Sequence, residues 1–137
     1  MQAIEQVRAY PVPELARQGF LAASFGLTHA AKVRTLLSQW MTRLSERGER
    51  PQWRFFLLSN GGFYVAPIQM TPLASLYRGR TFGGRLTSDA AGIIATLLTL
   101  MELTRESCEH ELVVAFDRLL EFAHNHDDWE SINCAIT

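Results

Sequence analysis

The chain of 137 residues is 47% hydrophobic and 20% charged, and 13 Lys and Arg against 14 Asp and Glu leave a formal net charge of −1. The ordinary apolar fraction and small net charge exclude an intrinsically disordered chain, and collagen-like and coiled-coil compositions are excluded as well. A chain of this length buries about two-thirds of its unfolded surface, so we predict a single globular domain over residues 1–137.

Two helices are predicted before the first strand. Pro13 suits the first position of a short helix that runs through about Gln18. Thr28 can cap a longer helix, which Gly48 ends. Apolar side chains recur in that helix at intervals of three and four residues, which is the pattern of one buried face. This predicted core stripe comprises Val33, Leu36, Leu37, Trp40, Met41 and Leu44.

A β-hairpin is the strongest local prediction. Residues 53–58 and 63–66 are rich in strand-forming side chains, and Asn60 and Gly61 stand between them. An Asn-Gly pair flanked by strands predicts a two-residue type I′ turn, in which both central residues have positive φ. We therefore expect the turn to be centred on Asn60 and Gly61.

The predicted turn also sets the two faces of the hairpin. In this register Leu58 lies opposite Phe63, and Leu57 lies opposite Tyr64. One face then carries Phe56, Leu58, Phe63 and Val65, and the other carries Phe55, Leu57 and Tyr64. Both faces are apolar, so either helices cover both of them or one aromatic face stays partly open for a partner.

A second, weaker hairpin is predicted after the loop that Pro67 and Pro72 frame. Its strands are residues 73–78 and 82–86, with Gly79-Arg80-Thr81 between them. A Gly-Gly pair at positions 83 and 84 lies inside the last strand, where glycine indicates a bulge or a close approach of two backbones.

Three helices are predicted after the strands. Ser88 caps the first of them, and Asp89 in its first turn suits the positive end of the helix dipole. The run 90–103 is apolar nearly all round, so we expect a central, buried helix. Ser107 caps the next helix, and a short final helix follows Asp127. The predicted core residues of the last two helices are Leu112, Val113, Phe116, Leu119, Leu120 and Ala123, then Trp129 and Ile132.

The order of the predicted elements indicates the fold class. Two helices precede four strands, and the remaining helices follow. Strands segregated from helices in this way are typical of α+β domains. We predict an antiparallel meander sheet of about four strands, packed with the N- and C-terminal helices.

Neither the N-terminus, nor the most apolar run, nor the cysteines indicate export or a membrane. Residues 1–8 contain no apolar stretch of signal-peptide length. The most apolar run has 14 residues, whereas a membrane span needs about 20. Cys108 and Cys134 match no zinc pattern and are too few for a disulfide framework. We therefore expect free thiols in a cytoplasmic protein with no membrane partner.

Charge is unevenly placed along the chain. Residues 1–88 hold 11 basic and 4 acidic side chains, and residues 89–137 hold 2 basic and 10 acidic ones, so the two parts carry +7 and −8. The simpler interpretation is that the two parts neutralise each other within one domain. The alternative is a basic face and an acidic face, each used for a partner.

A cluster of arginines is the best binding candidate on chemical grounds alone. Arg78, Arg80 and Arg85 lie close together in the second hairpin, with Arg54 as a further candidate. Arginine neutralises phosphates, and the nearby rings of Tyr64, Tyr77 and Phe82 can stack on bases, so nucleic acid is one candidate partner. Charge that protects a solvated strand edge from pairing explains the cluster as well, and we favour that interpretation.

No catalytic motif is present, and we predict neither an enzyme nor a cofactor. No phosphate-binding glycine loop or nucleophile elbow occurs in the sequence. The segment that holds His124, His126 and Asp128 has side chains that suit a transition metal, as a metal-dependent nuclease would require. We favour a solvated helix end, where a cationic histidine interacts favourably with the helix dipole.

Two segments resemble the antirestriction family of ArdB and KlcA. They are residues 56–67, Phe-Leu-Leu-Ser-Asn-Gly-Gly-Phe-Tyr-Val-Ala-Pro, and residues 88–97, Ser-Asp-Ala-Ala-Gly-Ile-Ile-Ala-Thr-Leu. Gly19-Phe20-Leu21, Phe25-Gly26 and the helix that reaches Trp40-Met41 fit as well, so the resemblance covers roughly residues 12–125. The presence of both motifs at this spacing is fairly specific to the family.

The resemblance implies a function and a setting. It implies an α+β fold, origin in a plasmid, prophage or other mobile genetic element, and relief of type I restriction of incoming DNA. It implies no cofactor and no catalytic residues. Asn60, Gly61, Gly62 and Tyr64 in the motif are candidate partner-binding residues, and Arg78 and Arg80 are added from the arginine cluster, which is not part of the motif.

Charge also bears on how such a protein would act. A protein that imitates duplex DNA must present about one negative charge per 1.7 Å, or about twenty for ten base pairs. Fourteen acidic residues nearly cancelled by thirteen basic ones fall short of that density. We therefore predict contacts with the type I restriction-modification complex or with an accessory host protein, and not DNA mimicry.

Overall fold

The structure is a computed structural model that describes residues 6–13, 16–17, 19–44, 52–68, 73–77 and 80–137, with the backbone alone for 73–77 and 80–86. In chain order the elements are β1 (Ala9–Pro11), α1 (Phe20–Phe25), α2 (Ala30–Leu44), β2 (Gln52–Leu58), β3 (Phe63–Ile68), β4 (Leu73–Tyr77), β5 (Arg80–Leu86), α3 (Ser88–Ser107), α4 (His110–His124) and α5 (Trp129–Ile136). This arrangement confirms the predicted α+β class.

The strand count and the meander need correction. In the described parts of the chain there are five strands in two sheets, with orders β1-β2-β3 and β4-β5. The missed strand, β1, is only three residues long and pairs antiparallel with β2. It ends at Pro11, which lacks an N–H and fits a sheet only at an edge. A strand this short, next to two prolines, shows no alternating pattern from which it can be predicted.

The first hairpin forms where predicted, but its register differs by one residue. Leu57 pairs with Phe63, and Phe56 pairs with Tyr64. Of the two predicted turn residues only Gly61 has positive φ, at 89°. The Leu58 carbonyl accepts a hydrogen bond from Gly61 N–H at 3.0 Å. The connection is therefore a three-residue loop with a left-handed glycine, and not a type I′ turn.

The change of register exchanges the cross-strand neighbours on each face. One face carries Phe55, Leu57, Phe63 and Val65, and the other carries Phe56, Leu58, Tyr64 and Ala66. On the first face, the ring of Phe20 in α1 lies 4.8 Å from that of Phe55. On the second face, Tyr64 stacks on Phe122 of α4 at 5.5 Å. Helices therefore pack on both faces, but Leu57 on the first face stays 50% exposed, so each of the two predicted alternatives holds in part.

The central helix is α3, and it lies against the free edge of β3. Ile93, Ile94 and Leu97 are fully buried, which confirms the prediction for the apolar run. Thr96 Oγ1 accepts a hydrogen bond from Val65 N–H at 3.2 Å and donates to the Gly92 carbonyl at 2.8 Å. A helix that covers a strand edge protects it from pairing with another chain. No helix in the described ranges is long and apolar enough to cross a membrane.

Two predicted helix caps were wrong. Thr87 caps α3, because its hydroxyl accepts from Ala90 N–H at 3.1 Å, while Ser88 is the first helical residue. Ser107 does not cap α4. Its hydroxyl donates to the Leu103 carbonyl at 2.9 Å within α3, which continues to this residue.

The remaining elements match the predictions in part. The core stripe of α2 is confirmed for five residues, while Trp40 is only partly buried. The predicted helix from Pro13 is partly outside the described residues, and Gly48 is outside them. Helix α1 was not predicted.

The second hairpin contains the predicted bulge. Its register shifts between Ala74 and Leu76, opposite the glycine pair. In α4 Val113 is 38% exposed, and Ala115 is buried instead. Ile132 of α5 is buried as predicted.

Candidate functional site at the hairpin tip

The tip of the first hairpin, residues 59–62, is fixed to α4 by the side chain of Asn60. Its Nδ2 donates to the Arg118 carbonyl at 2.9 Å, and its Oδ1 accepts from Gly62 N–H at 2.9 Å. On the opposite side, Ser59 Oγ accepts from Arg8 N–H at 2.9 Å. The tip is therefore anchored on both sides, while Ser59 and Gly61 remain exposed.

Both tip glycines lie close to Arg118. A Cβ at Gly62 would lie 2.9 Å from Arg118 Cβ, which is closer than two carbon atoms normally approach. Gly61 has φ of +89°, which side chains rarely tolerate. The double glycine of the motif thus allows α4 to approach the hairpin and sets the shape of the tip.

An exposed apolar surface lies beside the tip. Tyr10 and Leu57 are cross-strand partners, and they are 52% and 50% exposed. A groove of about 540 Å³ adjoins them between α1 and the hairpin. It is lined by Val12, Ala16, Gly19, Phe20, Ala23, Ser24, Leu57, Gly61 and Phe63. We call Tyr10, Leu57 and this groove the apolar surface.

A second groove, of about 380 Å³, lies on the other side of Gly61 and Phe63. Its lining differs in chemistry, because His110, Glu111 and Arg118 of α4 contribute to it. The hairpin tip therefore separates an apolar recess from a charged one.

The structure brings together three of the six predicted site residues. Asn60, Gly61 and Gly62 meet at the tip, but Tyr64 is only 2% exposed and lies in the interior. Arg78 is outside the described residues. The backbone of Arg80 pairs with that of Tyr77 in the second hairpin.

Tyr64 belongs to a polar network that links β3, α3 and the loop before α5. Its hydroxyl donates to Asp89 Oδ1 at 2.6 Å. His126 Nε2 lies 2.9 Å from Asp89 Oδ2, and in the neutral ring with its proton on Nε2, His126 Nδ1 accepts from Asp128 N–H at 3.0 Å. Thr87 Oγ1 donates to Asp128 Oδ2 at 2.8 Å, so the helix cap joins the same network.

The network perturbs the titration of two of its members. Burial, together with the bond to Asp89, raises the pKa of Tyr64, so this phenol stays protonated over the physiological range. The bond to Asp89 raises the pKa of His126, and the charges of Asp128 and Asp127 act in the same direction, while burial opposes them. Sequence reasoning missed Asp89 as a partner of these groups, because their proximity arises only in the folded chain.

The two late histidines do not share one site. Both ring nitrogens of His126 are engaged within the network. His124 instead stacks on Trp129 at 4.1 Å, and its Nδ1 lies 2.9 Å from the Leu120 carbonyl. In the part of the chain that is described, no three His, Cys, Asp or Glu side chains are arranged to hold a metal.

Replacing His126 with glutamine is expected to change how stability depends on pH. Since folding raises the pKa of His126, its contribution is fully present below the unfolded value of about 6.5 and is lost as the pH rises through the folded pKa. The difference in the free energy of unfolding between wild type and variant should therefore be largest at pH 5–6 and shrink toward pH 9. Urea denaturation across this range measures it.

His124→Gln is the matched control, because His124 has no carboxylate among its hydrogen-bond partners in the described residues. The free energy of unfolding of this variant should change with pH in the same way as that of the wild type. Parallel curves for His126→Gln as well would contradict the assigned role of Asp89.

Comparisons with known proteins give one consistent result. A sequence model of the family described as Antirestriction protein matches residues 46–137. Two Escherichia coli proteins named Antirestriction protein KlcA are each 35% identical to this chain. The alignments span 136 and 142 residues, covering 96% and 99% of this chain and 96% and 97% of the relatives.

A solved structure is also similar, with a TM-score of 0.85 and 37% identity over the full length of both chains. It is described as a structure of the KlcA and ArdB proteins, which show a novel fold and antirestriction activity against type I DNA restriction systems in vivo but not in vitro.

Proposed function

The chain belongs to the antirestriction protein family, and we propose that it relieves type I restriction of incoming plasmid or phage DNA through contacts with another protein. The observation that carries this proposal is the full-length similarity to the solved KlcA and ArdB structure. In this proposal the protein acts as an inhibitor in the cytoplasm, and no catalytic step is assigned to it.

The setting in which the relatives act supports a partner from the cell. Their activity appears in vivo but not in vitro. A component that the cell supplies and a purified assay lacks accounts for this difference. We therefore propose either an accessory host protein or the restriction complex in its cellular state as the partner.

The charge distribution of α4 argues against imitation of DNA. The helix has 15 residues and is about 22 Å long, a length over which duplex DNA presents about 13 negative charges. Only Glu111, Asp117 and Glu121 within α4 are acidic, and Arg118 lies among them. The helix thus offers far fewer charges than a duplex of its length.

Several other acidic side chains of the C-terminal part have partners within the fold. Glu106 pairs with Lys32, and Glu109 Oε2 lies 3.0 Å from His29 Nε2. Asp89 and Asp128 belong to the polar network. The contacts with Lys32 and His29 join the two parts of the chain, and they support the simpler interpretation, in which the basic and acidic parts neutralise each other.

The hairpin tip and the apolar surface are the proposed contact site. Leu57 and Tyr10 remain half exposed although helices cover the rest of both hairpin faces. Exposed apolar side chains beside a groove are typical of protein-binding surfaces. The anchored tip supplies a rigid edge with Asn60 and Gly61, so little ordering is required on binding.

The double variant Tyr10→Ser/Leu57→Ser is expected to lose antirestriction while it remains folded. Unmodified phage is plated on a type I restricting host with and without the protein. Wild type should raise the plating efficiency, and the variant should lower that gain at least tenfold, because two apolar contacts are removed. Circular dichroism checks that the variant is folded.

Leu27→Ser is the matched control, because Leu27 is 83% exposed but lies in the connection between α1 and α2. It should protect phage as well as the wild type. Equal protection by the double variant would exclude the apolar surface as the contact site. Unchanged plating with well-expressed wild type would refute the antirestriction proposal itself.

A further inference from the structure

A cavity of about 410 Å³ lies on the face of β2 beneath α1 and α2, away from the hairpin tip. It is lined by Arg17, Leu21, Arg34, Leu37, Ser38, Trp53 and Phe55. Its volume is within the range of small-molecule sites, about 300–1,000 Å³. Its lining combines two guanidinium groups and a hydroxyl with two aromatic rings.

Regular secondary structure places all of these groups except Arg17. Arg34, Leu37 and Ser38 are spaced by three and four residues, so α2 presents them on one face. Trp53 and Phe55 alternate along β2 and therefore point to the same side of the sheet. Helices and a strand thus supply most of the lining, with an aromatic floor from β2, while Arg17 lies in the connection between β1 and α1.

The wall contains a buried donor without a partner. Arg17 Nε is sealed from solvent and has no hydrogen-bond acceptor in the described part of the chain. A buried unsatisfied donor costs about 1–3 kcal/mol, so such groups are uncommon. No carboxylate is found among the described residues that line the cavity. An anion that enters the cavity would supply the counter-charge that the described lining residues lack.

A second basic cavity in the same protein shows the contrast. It has a volume of about 340 Å³ and contains Arg43 and Arg105. There Glu102 is part of the lining, and Arg43 stacks over the ring of Trp40 at 4.9 Å. Its lining therefore holds a carboxylate that offsets part of the positive charge, whereas no described lining residue offsets that of Arg17 and Arg34.

We propose that the cavity binds a nucleoside 5′-phosphate. The phosphate lies between Arg17 and Arg34, where a charge of about −1.5 to −2 matches two guanidinium groups better than a single carboxylate does. The base stacks on Trp53, since aromatic rings and guanidinium planes both accept a nucleobase. This proposal does not rest on the antirestriction function, because binding is measured on the purified chain.

Calorimetric titration of the full-length protein with adenosine 5′-monophosphate tests the site. Wild type should bind it with a dissociation constant below 1 mM, which is about what two charge-assisted contacts and one stacked base provide. Arg34→Gln should weaken binding at least tenfold, as expected when a hydrogen bond to a charged group is lost. Arg54→Gln is the matched control, because Arg54 is on β2 but points to the opposite face, and it should leave affinity unchanged.

Three further ligands test the base contact, the phosphate contact and the source of the nucleotide one at a time. Adenosine and inorganic phosphate should each bind at least tenfold more weakly than the nucleotide, since each keeps only half of the contacts. A 5′-phosphorylated dinucleotide that binds tenfold more tightly than the mononucleotide would identify the end of a nucleic-acid strand as the source. Weaker binding would identify a free nucleotide.

Two outcomes would overturn the proposal. One is the absence of heat and of any change in tryptophan fluorescence at 10 mM nucleotide, about ten times the highest dissociation constant expected. The other is an equal loss of affinity in Arg34→Gln and Arg54→Gln. Equal losses would show that binding depends on the net charge of the protein and not on this cavity.

Discussion

Gly92→Ala is expected to destabilise the protein by about 3 kcal/mol or more, at the upper end for overpacked cores. A Cβ at Gly92 would lie 2.2 Å from the Val65 carbonyl oxygen and 2.4 Å from Ala66 Cα. Both contacts are with backbone, which cannot rotate away as a flexible side chain can. The helix would have to move off the strand edge, and the bond between Thr96 and Val65 would break with it.

Gly19→Ala is the matched control for this substitution. A Cβ at Gly19 meets no other atom of the described residues within 4 Å, and its φ of −97° is open to any residue. Its free energy of unfolding should stay within about 0.5 kcal/mol of the wild type, or rise slightly as the unfolded chain loses freedom. Urea denaturation of the three proteins measures both effects. A Gly92→Ala variant as stable as Gly19→Ala would show that α3 does not approach β3 so closely.

Gly92 also illustrates which parts of the fold can be predicted from sequence. The apolar run around it identified a buried central helix, because a helix without a polar face can only be enclosed. The same run contains no sign that this helix lies against a strand edge. That contact depends on Gly92 and Thr96, one turn apart, and on a Val65 N–H that β2 leaves unpaired.

The hairpin register shows how a correct local prediction can fail in detail. Asn60 and Gly61 do form the turn, but a type I′ turn needs positive φ at both. Asn60 instead uses its side chain to bind Gly62 and the Arg118 carbonyl of α4. The partner on α4 is 58 residues away in sequence. Local turn preferences therefore give way to a contact that exists only in the folded chain.

The candidate sites follow the same division. Asn60, Gly61 and Gly62 can be proposed from the sequence because they are contiguous and carry a recognisable motif. The exposed pair Tyr10 and Leu57 depends on β1, which is too short to predict, and on the shifted register. The basic cavity combines residues from three separate segments, and no spacing within any one segment indicates that they meet.

Tyr64→Phe is expected to lower the free energy of unfolding by about 1.5 kcal/mol, the low end for a hydrogen bond to a charged group. The low end applies because the Asp89 side chain is 38% exposed and water can replace part of the lost bond. The phenylalanine ring keeps the stacking of Tyr64 with Phe56 at 4.8 Å and with Phe122 at 5.5 Å. The loss of stability therefore measures the contribution of the hydroxyl group alone. Tyr10→Phe is the control, because it removes the same group from a half-exposed side chain.

A double-mutant cycle with His126→Gln tests whether Asp89 is the shared centre of the network. Tyr64 and His126 bind different oxygens of the same carboxylate, so each single variant leaves Asp89 held by the other partner. The double variant releases it, and the two effects should differ from additivity by at least about 0.5 kcal/mol at pH 6. Coupling should weaken at pH 9, where His126 is less protonated. Additive effects at both pH values would mean that the two bonds act independently and that Asp89 does not couple β3 to the loop before α5.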